Sequence, residues 1–290
     1  MHVLVPAGGR GLQLVFNACR QILRKLLGLG VRRFRMEPVG VLIQACASTG
    51  TEPGLMQLEV VGKSYLEHQL DRVLVAFNRG DCVVVTTELA EDRSIVALCQ
   101  DLGVPFYVGD RDDALCNCIR AAQGQGFRSV MILRSDSPLI DPVLMAQVKA
   151  KYLTSGEVNQ YVSNRLKRTY PEGMEVEMVG VELLSQAYLA ANQWSDFKDP
   201  TRLLRRGDLS HCQTVDVVQA VDQSQWRFCL DTGADHQQLS TLLGLVQNYS
   251  LQELMTAAQA HGLLVQKSRT DEDPGGGPGL VKKRPPSIGR

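Results

Sequence analysis

The chain has 290 residues, 44% of them hydrophobic, enough for one large α/β domain or two small ones with a sizeable core. Lys plus Arg and Asp plus Glu each number 31, so the formal charge is zero and the basic footprint of a nucleic-acid binder is missing. No apolar run reaches the roughly 20 residues that span a bilayer, which leaves a small polar ligand as the partner class that suits this chain.

Residues 1–38 stand apart as a basic N-terminal extension. They hold seven Arg or Lys against one acid, Glu37, with Leu-rich spacing in "RQILRKLLGLGVRRFRM". An amphipathic, Arg-rich, acid-poor start has the features of an organelle transit peptide. A basic surface helix or a misplaced start codon fits it as well. "AGGRG", Ala7–Gly11, has phosphate-loop glycines, but no recognisable βαβ unit follows it.

From Val39 strands and helices alternate. "VGVLIQA" reads as a strand, followed by a Ser-, Thr-, Gly- and Pro-rich stretch and a helix from Ser64 to about Asn78. "CVVVTT" is a continuous apolar run suited to a buried parallel strand. "EDRSIVALCQDLG" reads as a helix closed by Gly103, "VPFYVG" as a short strand, and Asp112 to about Gly124 as a helix. "SVMILR" is a strand, and Asp141-Pro142 caps and opens the next helix. This order predicts an α/β fold, an open, mostly parallel sheet with helices on both faces and ligands at the carboxyl ends of its strands. Past residue 155, "NQYVSN", "GMEVEMVGV" and "WRFCLD" read as strands, with helices at 182–192, about 235–246 and 251–261. The domain is expected to span 39–262. Residues 263–290 form a tail, and from Ser268 on it lacks apolar periodicity and is expected to be disordered.

None of the eight cysteines forms a Cys-x-x-Cys zinc spacing, and most lie in apolar stretches. Cys116 and Cys118 fit ordinary helix packing better than a metal site. Free thiols suit a reducing compartment such as the cytoplasm.

Asp136 in "LRSDSPLIDP" and Asp231 in "RFCLDTGAD" each follow an apolar strand. Two carboxylates reaching one crevice would make a hard-oxygen site for Mg²⁺ and substrate phosphates; each could equally cap its own turn. "KRTYPEGMEVEM", Lys167–Met178, could hold a sugar or be an ordinary charged hairpin.

From Val39 to about Leu243 the chain resembles the cytidylyltransferases of the spore coat polysaccharide family, relatives of the enzymes that make CMP-activated acidic sugars. Eight phrases recur in family order: "GVLIQA", Pro53-Gly54, "GKSYLEHQLDRV", "VVVTTELAEDRSIVALCQDLGVPFYVGD", "DDAL", "SDSPLIDP", "VSNRLKRTYPEGMEVE" and "LDTGAD". The resemblance implies a nucleotide-diphospho-sugar transferase-like fold. It also implies transfer of CMP from CTP to a sugar with release of pyrophosphate, and relatives that often pair as homodimers. On that model Asp136 and Asp231 are catalytic and hold Mg²⁺. Ser48, Thr49, Gly54 and Lys63 belong to the nucleotide side. Asn164, Arg168, Tyr170, Gly173, Glu175 and Glu177 shape the sugar side.

The departures concern charge. The family loop resembles Gln-Ala-Arg-x-Ser-Ser-x-Arg-Leu-Pro-Gly-Lys, and its three basic positions here hold Cys46, Thr51 and Leu55. Ile132 replaces an Arg shortly before Asp136, and "KDPT", Lys198–Thr201, replaces an acid-His-Val-Thr stretch. Removing one charge-stabilising donor typically costs ~3–4 kcal/mol at the transition state. The sequence therefore supports two readings, a working enzyme with relocated cations or a weakened relative that binds and regulates. A glycosyltransferase of similar α/β build is a third. Backbone amides near Gly50 and Gly54, with Arg134, Lys63 or Arg168, are the candidates for compensation.

Overall fold

Apolar runs buried on both sides set the middle of the sheet. The computed structural model describes residues 38–46, 52, 54–155, 159–246 and 250–266; the expected extension up to residue 37, Ser48, Thr49 and residues 267–290 lie outside these. In chain order the strands are β1 (Val39–Gln44), β2 (Glu59–Val60), β3 (Lys63–Ser64), β4 (Cys82–Thr87), β5 (Phe106–Gly109), β6 (Ser129–Arg134), β7 (Gln160–Ser163), β8 (Glu177–Gly180), β9 (Gln213–Asp216), β10 (Trp226–Arg227) and β11 (Val265–Gln266). The α-helices are α1 (Tyr65–Ala76), α2 (Arg93–Leu102), α3 (Ala114–Gly124), α4 (Pro142–Ser155), α5 (Val181–Ala190), α6 (Trp194–Lys198), α7 (Arg202–Arg205), α8 (Gly233–Leu245) and α9 (Leu251–Ala260).

Seven strands form one sheet in the order β5-β4-β1-β6-β8-β7-β9. Only β8 runs against the others in it, antiparallel to both β6 and β7. Successive side chains enter opposite layers, as the pleat requires. Val41, Ile43, Val84, Met131 and Leu133 join an apolar cluster with Leu66, Leu70 and Val73 of α1 and Leu144 and Val148 of α4. Leu42, Val83, Val85, Val130 and Ile132 join a second cluster with Leu115 and Ile119 of α3 and Leu183 and Leu184 of α5. Helices thus cover both faces, as expected.

The chain moves from β1 outward through β4 to β5, then returns to place β6 on the other side of β1. The switch point between β1 and β6 opens a crevice at their carboxyl ends. Local signals anchor it. Ser64 and Glu67 form a reciprocal capping box at the start of α1. Asp141 accepts from the amides of Val143 at 2.6 Å and Leu144 at 3.4 Å, capping α4, while its other oxygen takes the Leu251 amide of α9 at 2.7 Å.

Two expected elements differ. The strand read at 173–181 begins only at Glu177, because the Asn164 side chain takes the Met174 carbonyl at 2.6 Å and the Val176 amide at 2.8 Å. The "WRFCLD" strand shrinks to Trp226–Arg227, paired with Val265–Gln266 outside the main sheet. Its remaining amides bond sideways, Phe228 to the Glu172 carbonyl and Leu230 to the Asp136 carbonyl, both at 2.8 Å. A further short strand, β11, not expected from the sequence, is the partner of β10. No helix among the described residues is long and apolar enough to cross a membrane.

Candidate functional site

Two cavities open at the carboxyl edge of the sheet. The larger, about 330 Å³, is lined by Gln44–Cys46 after β1, Val85–Thr87 at the end of β4, Asp110 and Asn117 near α3, and Lys198–Pro200 after α6. The smaller, about 220 Å³, is lined by Asp136, Arg168, Glu172, Glu175, Arg227, Cys229 and Asp231. Arg134 and Arg165 line both.

The turn that presents Asp136 is tightly held. The Ser135 amide donates to the Gln44 carbonyl at 3.0 Å, prolonging the β1–β6 ladder beyond its last registered pair. The buried Gln69 amide of α1 donates to the carbonyls of Arg134 at 2.7 Å and Ser137 at 3.1 Å. Asp136 is buried, accepts from the Ser137 hydroxyl at 3.1 Å and is ion-paired with Arg134. The charge of Asp136 pushes the Arg134 guanidinium above its ordinary value, so this arginine stays protonated.

Asp231 reaches the same cavity from the 226–231 segment. It is ion-paired with Arg227 at 3.3 Å, and its carbonyl accepts the Glu52 amide at 3.3 Å. Arg227 also pairs with Glu172 at 3.1 Å and Asp235 at 3.4 Å. Cys229, between these acids, is no nucleophile: burial, then the charges of Asp136, Glu175 and Glu172, push its thiol well up.

The larger cavity borders a buried charge cluster. Glu177 pairs with Arg165 at 2.7 Å and Arg205 at 3.4 Å and accepts from Thr201 and Tyr161. Burial alone would raise its carboxyl; the two guanidiniums outweigh that and hold it below the ordinary glutamate value. Asp199, similarly pulled up by burial and down by its Arg205 hydrogen bond and charge, falls to about 2. Ile132 lies opposite Glu177 in the β6–β8 register, and the positive charge beside Glu177 comes from Arg165 and Arg205. Asn117 clamps the Asp110 backbone with both ends of its amide, at 2.6 and 3.1 Å. Lys198 ties the rim to the Arg111 carbonyl at 2.6 Å and Asp112 at 2.8 Å. Thr86 is buried on the wall, its hydroxyl oxygen without a hydrogen-bond partner among the described residues.

Of the residues singled out in the sequence, the structure brings Asp136, Asp231, Arg168 and Glu175 into one cavity and Glu177 into the other. Arg168 and Glu175 pair at 3.3 Å. Asn164 holds the 174–176 backbone, and Tyr170 packs against the first apolar cluster; neither lines a cavity. Gly173 has φ of 91°, and a Cβ there would lie 2.7 Å from the Phe228 carbonyl. Gly54, at φ of 84°, starts a single 3-10 turn. Lys63 is exposed on β3 and paired with Asp71, outside both cavities. Ser48 and Thr49 lie outside the described residues. Arg165, Arg205 and Arg227 were not legible as site residues, because single arginines in a loop, a short helix or a strand end look like ordinary surface positions.

The sheet order, its one reversed strand and the crevice at the switch point define a nucleotidyltransferase fold. The chain is similar in structure to a cytidylyltransferase from Leptospira borgpetersenii, with a TM-score of 0.74 and 22% identity over 78% of this chain and 95% of that one. It is also similar to CMP:2-keto-3-deoxy-manno-octonic acid synthetase complexed with CTP, with a TM-score of 0.52 and 14% identity over 72% of this chain and 99% of that one. A third similar structure is a nucleotidyl transferase from Methanothermobacter thermautotrophicus, with a TM-score of 0.51 and 15% identity over 70% of this chain and 96% of that one. In sequence it is 26% identical over 158 residues to an uncharacterized protein of Methanocaldococcus jannaschii, a match spanning 54% of this chain and 63% of that protein. No family model matches the chain.

Proposed function

We propose that this protein is a cytidylyltransferase of the kind its sequence resembles, the spore coat polysaccharide type, transferring CMP from CTP to a sugar and releasing pyrophosphate. One observation carries the reading: Asp136 and Asp231, from distant segments, line one cavity that adjoins a second at the switch point of the sheet. The nucleotide is assigned to the larger cavity, whose wall includes Thr86, with a buried hydroxyl that no other described residue engages. The sugar is assigned to the smaller one, whose Arg168, Glu172 and Glu175 offer donors and acceptors to hydroxyl or carboxylate groups.

The donor set fits a hard divalent cation. Two carboxylates line one cavity with Glu172 and Glu175, and among the described residues no three such side chains are grouped closely enough to hold an ion by themselves, so further oxygens would come from phosphate and water. Asp136 and Asp231 would hold Mg²⁺, which when bound neutralises phosphate charge. The chain's own part is positioning. Gln69 and the Gln44 carbonyl fix the Asp136 turn, the Glu177 cluster stiffens the wall between the cavities, and the sugar oxygen meets the α-phosphorus where they join.

The test is pyrophosphate release from CTP and Mg²⁺ with a panel of acidic and neutral sugars. Release that vanishes in Asp136→Asn supports the enzyme. A second reading, a protein that binds nucleotide or sugar without turnover, is favoured by the arginine held on each aspartate. A rise in melting temperature with CTP, and no release with any sugar, would establish it.

A further inference from the structure

Arg134 occupies a singular place. It ends β6 at the switch point, opposite Gln44 of β1 in the register. It lines both cavities, and its guanidinium lies on Asp136 although about half of the side chain is exposed. Its backbone is pinned by Gln69 and by the turn to Ser137, so only the side chain is able to move. The basic residues that the resemblance leads one to expect in the loop are replaced at Cys46 and Leu55. A cation for phosphate must therefore come from elsewhere on the cavity walls.

Arg165, the other guanidinium common to both cavities, is less available. It is 12% exposed and committed to Glu177 in the buried cluster. Arg111 lines only the larger cavity, 3.8 Å from Asp112, and Lys198 is committed to the rim. Arg168 and Arg227 line only the smaller cavity and have carboxylate partners of their own. Arg134 is the cation whose single carboxylate partner is also a proposed metal ligand.

We propose that Arg134 is an exchangeable phosphate-binding residue: Asp136 holds it in the free protein, and it transfers to the pyrophosphate moiety once a divalent cation takes the Asp136 carboxylate. This rests on the assignment of Asp136 to the metal. Arg134 and the cation compete for one carboxylate, so while the guanidinium stays on Asp136 both the metal and the phosphate are disfavoured. When both ligands arrive, each charge gains a partner: carboxylate with cation, guanidinium with phosphate. Metal and phosphate then bind with positive coupling, each strengthening the other.

The experiment uses the full chain and inorganic pyrophosphate, measured by calorimetry in chelator and in Mg²⁺. The wild type is expected to bind pyrophosphate at least tenfold more tightly with Mg²⁺. Asp136→Asn, which releases Arg134, is expected to bind at least fivefold more tightly than wild type in chelator and to lose most of the Mg²⁺ response. Arg134→Gln is expected to bind weakly in both conditions, with Arg134→Lys between. The double variant Arg134→Gln/Asp136→Asn separates exchange from a plain loss of negative charge. If its chelator affinity matches that of Asp136→Asn, the exchange is overturned. Pyrophosphate binding by Arg134→Gln within twofold of wild type in Mg²⁺ also overturns it. Because the readout is binding, this pattern stands even if no sugar accepts CMP, whereas sugar-dependent release by Arg134→Gln at the wild-type rate would leave the transferase reading and remove this one.

Discussion

The amide of Leu230 donates to the carbonyl of Asp136 at 2.8 Å. That single bond joins the segment carrying one proposed metal ligand to the residue that is the other. Asp136→Asn and Asp231→Asn should each lower pyrophosphate release by about 10²-fold or more, a typical loss for one charge-stabilising group. The double variant should fall little below the worse single one, since both act on the same charge. Steady-state kinetics with a saturating sugar acceptor checks both, and additive losses would separate the two carboxylates.

Thr86 offers a cleaner probe of the larger cavity. Its hydroxyl oxygen is buried without a hydrogen-bond partner among the described residues, so removing it relieves rather than creates an unmet polar group. Thr86→Val should leave the melting temperature unchanged or higher. CTP affinity should weaken by about 1 kcal/mol, the usual worth of one hydrogen bond. Unaltered CTP affinity would remove Thr86 from the nucleotide contacts.

Gly173 answers a steric demand. At φ of 91°, with the Phe228 carbonyl 2.7 Å from where a Cβ would stand, the position excludes a side chain twice over. Gly173→Ala should destabilise the fold by about 1–3 kcal/mol, the range for a strained backbone site, and displace the 226–231 segment. Chemical denaturation reads the first effect and loss of pyrophosphate release the second.

The Glu177 cluster sets an acid limit on stability. The folded values of Glu177 and Asp199 lie below their ordinary ones, Asp199 at about 2 against 3.8. Carboxyls depressed in this way stabilise fully above their unfolded values, and that contribution disappears as pH falls toward 2. Arg205→Leu should cost about 3–5 kcal/mol at neutral pH, as expected for breaking a buried ion pair. The gap from wild type should narrow between roughly pH 5 and 2. Denaturation curves across that range give the comparison, and a constant gap would mean that Arg205 acts by packing alone.

Charge can also be restored. Cys46 is half-buried on the wall of the larger cavity, at a family Arg position by resemblance. Cys46→Arg should tighten CTP binding roughly tenfold, in the range of one charge-assisted hydrogen bond. Titration in Mg²⁺ at two salt concentrations tests this, since the gain should shrink with added salt.

The strands of the central sheet were legible because burial on both faces demands continuous apolar runs, as in "CVVVTT" and "SVMILR". Helix starts were legible where a side chain caps its own backbone, as Ser64 and Asp141 do. The edge strand Gln213–Asp216 was missed because a short, polar, half-exposed strand carries no such pattern. The overlong strands at 173–181 and 226–231 have one cause: alternation reports which side chains are buried, not which partner takes the amides. At Met174 and Val176 that partner is a side chain, Asn164. The carboxylate pair was readable from the strand ends, and the arginines on it, Arg134 and Arg227, stand two and four residues before their partners, a proximity that did not by itself reveal the pairing. Lys63, expected on the nucleotide side, lies exposed on β3 and pairs with Asp71.

Main-chain bonds to Glu172, Asp136 and Glu52 tie the 226–231 segment to its neighbours, beside side-chain bonds from Asp235 and Gln238. A lineage that swapped the surrounding side chains would keep those main-chain ties. Charge on the cavity walls can then change hands while the backbone that carries the acids stays fastened.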